Sequence, residues 1–150
     1  MRTQYLSILA LLVAMSCNNK MQQTATKEFV HGTATYSKSV VVNDGHVKTI
    51  YIAGLTGDGA DLEAQTRSAW SNIKTELDAA GATFKDIVKT NIYIVNCTPD
   101  KVTLFRSIRK EYLGDRDMPA STLLGVPTLA ATHKLVEIEA VAVIQTAKAK

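Results

Sequence analysis

Met118-Pro-Ala-Ser-Thr-Leu-Leu-Gly-Val126 and Leu135-Val-Glu-Ile-Glu-Ala-Val-Ala-Val143 decide how this chain folds. The second stretch is an almost continuous apolar strand with two carboxylates set into it. Glu137 and Glu139 are two residues apart, so in a strand they point to one face, with Cβ atoms about 6.5–7 Å apart. Burying carboxylates costs several kcal/mol unless they are paired or hydrogen-bonded. A strand that carries two of them requires partners for them, or a use.

Working outward, the elements alternate in type. Thr35 to Asn43 reads as a strand, Asn43-Asp-Gly-His46 as a tight turn, and Val47 to Ala53 as the returning strand. Gly54 to Gly59, with three glycines, reads as a loop. Asp61 is placed to cap a helix running to about Ala80, with Ala69, Ile73, Leu77 and Ala80 as its apolar stripe and Gly81 at its C-terminal stop. Ile87 to Val95 is apolar on both faces, as in a strand covered on both sides. Thr98-Pro-Asp100 is a helix start, with Thr98 as cap, Pro99 at the first helical position and Asp100 at the positive end of the dipole. Val102, Phe105, Arg109, Tyr112 and Leu113 follow at helical spacing. Ser121 to Val126 and Leu135 to Ile144 complete a ββαβαββ order. That order implies a single α+β sandwich with two helices on one face of a mixed sheet. The doubly apolar strands imply that neighbouring subunits cover the other face.

The chain has 150 residues, 46% hydrophobic, enough for one domain with a real core. Arg2 and the short apolar run from Tyr5 to Met15 read as a secretory signal peptide, because a bilayer span takes roughly 20 residues. Ala14-Met-Ser-Cys17 is similar to a bacterial lipobox, with Ala14 where leucine is usual, so Cys17 is the expected lipidation site. A soluble secreted protein and a misplaced start are the alternatives. The expected layout is a signal peptide over 1–16, a lipidated tether over 17–30, a folded domain over 31–146 and a tail over 147–150. The expected location is the bacterial envelope, with the lipid as the only membrane contact. The net charge of +3 falls to +2 without Arg2, too small and too evenly spread to argue for nucleic acid. With Cys17 acylated, Cys97 is the one thiol left and is expected to behave as a small hydrophobe. His31, His46 and His133 show no metal-ligand spacing. Gly54-Leu-Thr-Gly-Asp-Gly59 lacks the Lys-Ser/Thr ending of a phosphate loop.

Five segments together resemble the Rid family (reactive intermediate deaminases, also called YjgF or L-PSP). They are Tyr36-Ser37, Glu63-Ala-Gln-Thr-Arg67, Val88-Lys-Thr90, Pro119-Ala120 and Val136-Glu-Ile-Glu-Ala140. The resemblance covers about Thr35 to Ile144. It implies a chorismate-mutase-like fold and a homotrimer with a central barrel and small-molecule clefts between subunits. It also implies hydrolysis of short-lived imines or enamines, such as 2-aminoacrylate, without metal or cofactor. On this resemblance Glu137 is the water-activating carboxylate and Tyr36 lines the cleft. Some relatives have been described as ribonucleases, but this chain has no basic–aromatic stripe for RNA.

Two groups depart from the family pattern. The deaminases have Pro-Ala-Arg-Ser where this chain has Pro119-Ala120-Ser121-Thr122. A neutral hydroxyl does not replace a bidentate guanidinium on a substrate carboxylate, and each missing charge-assisted bond is worth about 1.5–3 kcal/mol. The family's asparagine on the second helix aligns with Arg106, and the loop before Leu135 is one residue longer. Ser121 and Thr122 are therefore candidate hydrogen-bond donors to a ligand, and Arg106 a candidate replacement cation. Glu139 is expected to be structural, paired with Arg67 or Lys89.

Overall fold

A computed structural model describes residues 24–115 and 117–146. Cys17 and the signal-like segment lie outside the described residues. The elements are β1 (Thr26–Gly32), β2 (Ser37–Asn43), β3 (Val47–Thr56), α1 (Leu62–Ala80), β4 (Ile87–Val95), α2 (Pro99–Leu113), β5 (Ala120–Val126) and β6 (Val136–Gln145), with one 3-10 turn at Phe84–Asp86. They form one six-stranded sheet in the order β1-β2-β3-β6-β4-β5. Every neighbouring pair is antiparallel except β4–β5, so the sheet is mixed, as expected.

Two strands differ from the expectation. β1 lies where a polar tether was expected. Its TKEFVHG sequence has little alternation, and all but Val30 is exposed. Its strand state comes from the ladder with β2, in which Phe29 pairs with Val40 and Val30 with Ser39. β3 runs on to Thr56, through Gly54, the first glycine of the expected loop. The register against β6 shifts between Ile52 and Leu55, a bulge that contains Gly54.

The helices start and stop as their sequence signals require. Asp61 Oδ1 accepts from the Ala64 amide at 2.8 Å, and Gly81 ends α1 in the left-handed region at φ 76°. Thr98 accepts from the Lys101 amide at the start of α2. Both helices cover one sheet face. Ile50, Ile52, Ile92, Ile94, Val136, Ile138 and Ala142 fill that side against Trp70, Ile73, Leu77, Phe105 and Ile108, all essentially buried. Trp70 stacks on Tyr112 at 5.8 Å between ring centres and meets Phe84 edge-on at 6.0 Å. No helix among the described residues is long and apolar enough to cross a membrane.

The other face carries the alternate residues. One row across the sheet runs Phe29, Val40, Tyr51, Val141 and Lys89. Another runs Thr56, Glu137, Tyr93 and Leu124. Phe29, Tyr51 and Leu124 remain more than half exposed in the single chain.

Candidate functional site

Strand alternation puts Glu137 and Glu139 on the face away from the helices, between the buried Val136, Ile138 and Ala140. Glu139 does not pair with Arg67 or Lys89. It accepts from Asn91 Nδ2 at 2.9 Å and from the Tyr93 hydroxyl at 3.4 Å, because Asn91 sits directly opposite it on β4. Arg67 instead bonds Glu63 and Glu111 at 3.0 Å each, joining α1 to α2. Neutral donors therefore hold Glu139 beside Glu137.

Glu137 has no hydrogen-bond donor of its own among the described residues. Burial, and then the neighbouring Glu139 charge, push its carboxyl above the ordinary value. Burial and the same two carboxylates push the Tyr93 hydroxyl up. The Glu137 side chain lies over the bulge in β3. A Cβ at Gly54 would sit 2.7 Å from Glu137 Cδ, so any larger residue there would have to displace the carboxyl.

Gly54 also lines a cavity of about 220 Å³, together with Tyr36, Lys38, Thr56, Asn72 and Glu76. β2 pairs with β3 only as far as Ile52, so the end of β3 is open on that side. Tyr36 is brought to this opening by a turn. The Thr33 amide donates to the Tyr36 carbonyl at 2.7 Å, and Thr33 Oγ1 accepts from the Tyr36 amide at 3.0 Å. Asn72 Nδ2 donates to the Thr56 carbonyl at 2.9 Å and ties the strand end to α1. Glu137 does not itself line the cavity; Gly54 is the residue that touches both. The fold thus brings Tyr36 and Glu137 to one region, although they are far apart in sequence.

The remaining candidates lie elsewhere in the single chain. Thr122 pairs with Asn91, so it shares the face of Glu139. Ser121 points to the opposite face, where the buried Thr90 hydroxyl donates to it at 3.2 Å. Arg106 is exposed on α2 and lines neither the Tyr36 cavity nor the face that bears the carboxylates. Its charge, after burial, lowers the affinity of Arg109 for its proton. Cys97 is half-buried at the end of β4, packed against the core and beside Gly125. Among the described residues no three His, Cys, Asp or Glu side chains come together as a metal site.

The sequence reading missed a further cluster on the other side of the same cavity. Glu76 on α1 is 1% exposed, accepts from Ser39 Oγ at 2.7 Å and lies 2.9 Å from His31 Nδ1. Nothing local announces it, because its members are 37 and 45 residues away from Glu76. The available signal was a glutamate on the helix face that also carries Ile73 and Leu77.

The geometry agrees with comparison to known proteins. The model of the family described as Endoribonuclease L-PSP matches residues 26–144, which includes β1. A 2-iminobutanoate/2-iminopropanoate deaminase of Dermatophagoides farinae is 29% identical over 118 residues, 73% of this chain and 86% of that protein. A crystal structure of a YjgF/YER057c/UK114 family member from Mycobacterium tuberculosis aligns with a TM-score of 0.69 at 31% identity, over 79% of this chain and all of the other. RidA from an Antarctic Psychrobacter aligns with a TM-score of 0.65 at 27% identity, over 75% of this chain and 91% of the other. With both helices and all six strands, but for the last residue of β6, inside the matched span, the chain belongs to the L-PSP family, also known as YjgF or Rid.

Proposed function

We propose that this protein hydrolyses a small imine or enamine in clefts formed between the copies of a homotrimer. The observation that carries the reading is Glu137: a carboxyl without donors, its pKa raised by burial and by Glu139, set over the glycine of a bulge beside the Tyr36 cavity. A carboxylate whose pKa is moved toward the working pH is suited to general-base chemistry. Glu137 takes a proton from water as the oxygen adds to the imine carbon. The proton passes to nitrogen, the hydroxyl of the tetrahedral adduct then gives its proton by way of Glu137 to the departing amine as the C–N bond breaks, and a carbonyl compound and ammonia leave. Tyr36 holds the polar end of the substrate. Ser121, Thr122 and Arg106, remote from Glu137 within one chain, shape the cleft from a neighbouring copy. The similarity to a 2-iminobutanoate/2-iminopropanoate deaminase supports this reaction class. Export to the envelope and anchoring through a lipid on Cys17, with secretion as a soluble protein as the alternative, belong to the same reading and rest on the N-terminal sequence.

Ser121, standing where the deaminases it resembles carry arginine, favours a second reading: a lipoprotein that binds a small metabolite without turning it over. Glu137→Gln separates the two. Under the first reading, ammonia release from 2-iminobutanoate falls by a factor of about 100 or more, while the mass of the assembly is unchanged. Equal turnover by the variant removes Glu137 from the mechanism, and no turnover by either protein favours the binding module.

A further inference from the structure

The cation that Ser121 does not supply has a candidate at the β1–β2 edge. We propose that Lys38, with His31 beside it, forms the anion site of this protein and holds the substrate carboxylate. The proposal rests on the reading of the Tyr36 cavity as the substrate's place, and adds which groups hold its charged end.

Two cavities meet at Lys38. The first, of about 220 Å³, contains Tyr36 and Gly54. The second, of about 450 Å³, is lined by His31, Gly32, Thr33, Lys38, Thr75 and Glu76. Lys38, Thr75 and Glu76 line both, so the two adjoin at the lysine. Arg67, Lys74, Lys110 and Lys134 are each in an ion pair. Lys38 is in none among the described residues, and it is the cation that shares a cavity with Tyr36. Its ammonium therefore has its electrostatic capacity left for a ligand.

Glu76 makes no ion pair with Lys38 among the described residues. It is buried, with one oxygen taken by Ser39 and the other by His31. A buried carboxylate with both oxygens engaged acts to fix its partners. It holds the imidazole through Nδ1, and Nε2 has no protein partner among the described residues. The His31 side chain is 48% exposed. Its backbone adopts φ 45°, a left-handed conformation that costs a non-glycine residue about 1–3 kcal/mol. At this strand end the side chain reaches Glu76. The result is a fixed imidazole and an unpaired ammonium lining one cavity, together with Thr33 and Thr75. This is a receptor for a compact oxyanion such as a carboxylate.

The test uses 2-oxobutanoate, the product-side acid of the imine class, and its uncharged amide as probes. Binding is measured by calorimetry on the assembled protein carrying Glu137→Gln, and turnover of 2-iminobutanoate is measured on the active protein. The expected result is that the acid binds and the amide does not. Lys38→Met should weaken acid binding about tenfold or more, with Lys38→Arg restoring much of it, and His31→Gln should give a smaller loss. In turnover, Lys38→Met should raise KM more than it lowers kcat. Thermal melts show that each variant is folded; Lys38 is exposed, so its loss should leave the melt unchanged. Equal binding of acid and amide, an unaltered affinity in Lys38→Met, or loss in Arg106→Met without loss in Lys38→Met overturns the proposal. Turnover with an unaltered KM in Lys38→Met overturns it while the hydrolase reading stands. Lys38-dependent binding of the acid without any turnover leaves it standing and removes the hydrolase.

Discussion

An ionised Glu137 has lost part of its hydration and faces a second carboxylate two residues along its strand. The folded protein therefore holds the Glu137 proton to higher pH than the unfolded chain, whose ordinary value is 4.5. Between those two values the native state binds more protons than the unfolded state, so the stability contributed by this residue falls as pH rises and levels off above the raised value. Glu137→Gln removes that loss. Thermal melts of both proteins from about pH 4 to about pH 8 should show the variant gaining relative stability as pH rises through that window. A difference independent of pH would show that the carboxyl is not perturbed. Gly54→Ala tests the same residue from the other side. A methyl at that place collides with the Glu137 carboxyl, and the side chain is the more mobile of the two. The carboxyl should be displaced by about an ångström, and turnover should fall about a hundredfold with the assembly intact. Full activity in Gly54→Ala would mean that the position of Glu137 over the bulge is not used.

The elements differ in how openly they are written. The helix α1 is legible because its signals are local: a capping aspartate, a stripe at helical spacing and a glycine stop, all realised between Asp61 and Gly81. Trp70, beside the apolar stripe of α1, and Phe105, at helical spacing in α2, are legible as core for the same reason. They hold α1 and α2 together with Phe84 and Tyr112, and Phe105 is fully buried. Phe105→Ala should cost about 3–5 kcal/mol in denaturant unfolding; a cost below about 1 kcal/mol would mean that the helices close over the gap. The strand β1 is not legible, because its order comes from hydrogen bonds to β2 and not from its own pattern. The bulge at Gly54 is hidden for a related reason: three close glycines read as loop, and only the β6 register reveals that the first of them lies in a strand. Glu137 and Tyr36 could be picked from sequence as site residues, but Gly54, which joins them, could not. The His31–Glu76–Ser39 cluster and Lys38 depend on β1 and on contacts across the fold, so they emerge only in three dimensions.

In the whole molecule, helices cover one sheet face, and the other carries an open apolar row in a chain whose core is otherwise well closed. Phe29 is 68% exposed and Tyr51 51%, with Val40 between them and Val141 beyond. Contiguous exposed apolar surface of this kind marks an interface, and a stable one buries roughly 800 Å² on each partner. Tyr51 sits in the middle of the row and also lines the small depression that holds Lys89, Asn91 and Glu139. If copies associate through this face, a lysine at position 51 would put an ammonium into the apolar row between Val40 and Val141, and burying it costs several kcal/mol per copy. Tyr51→Lys should therefore give a folded monomer where the parent protein, as a homotrimer, should have the mass of three chains, measured by light scattering on the eluting protein. Its helix-side core does not touch position 51, so its circular dichroism should be unchanged. If Ser121 and Thr122 serve the Glu137 of another copy, as proposed, the monomer should also lose turnover. A variant that keeps the mass of three chains would exclude the carboxylate-bearing face as the interface. A fully active monomer would place the whole site within one chain.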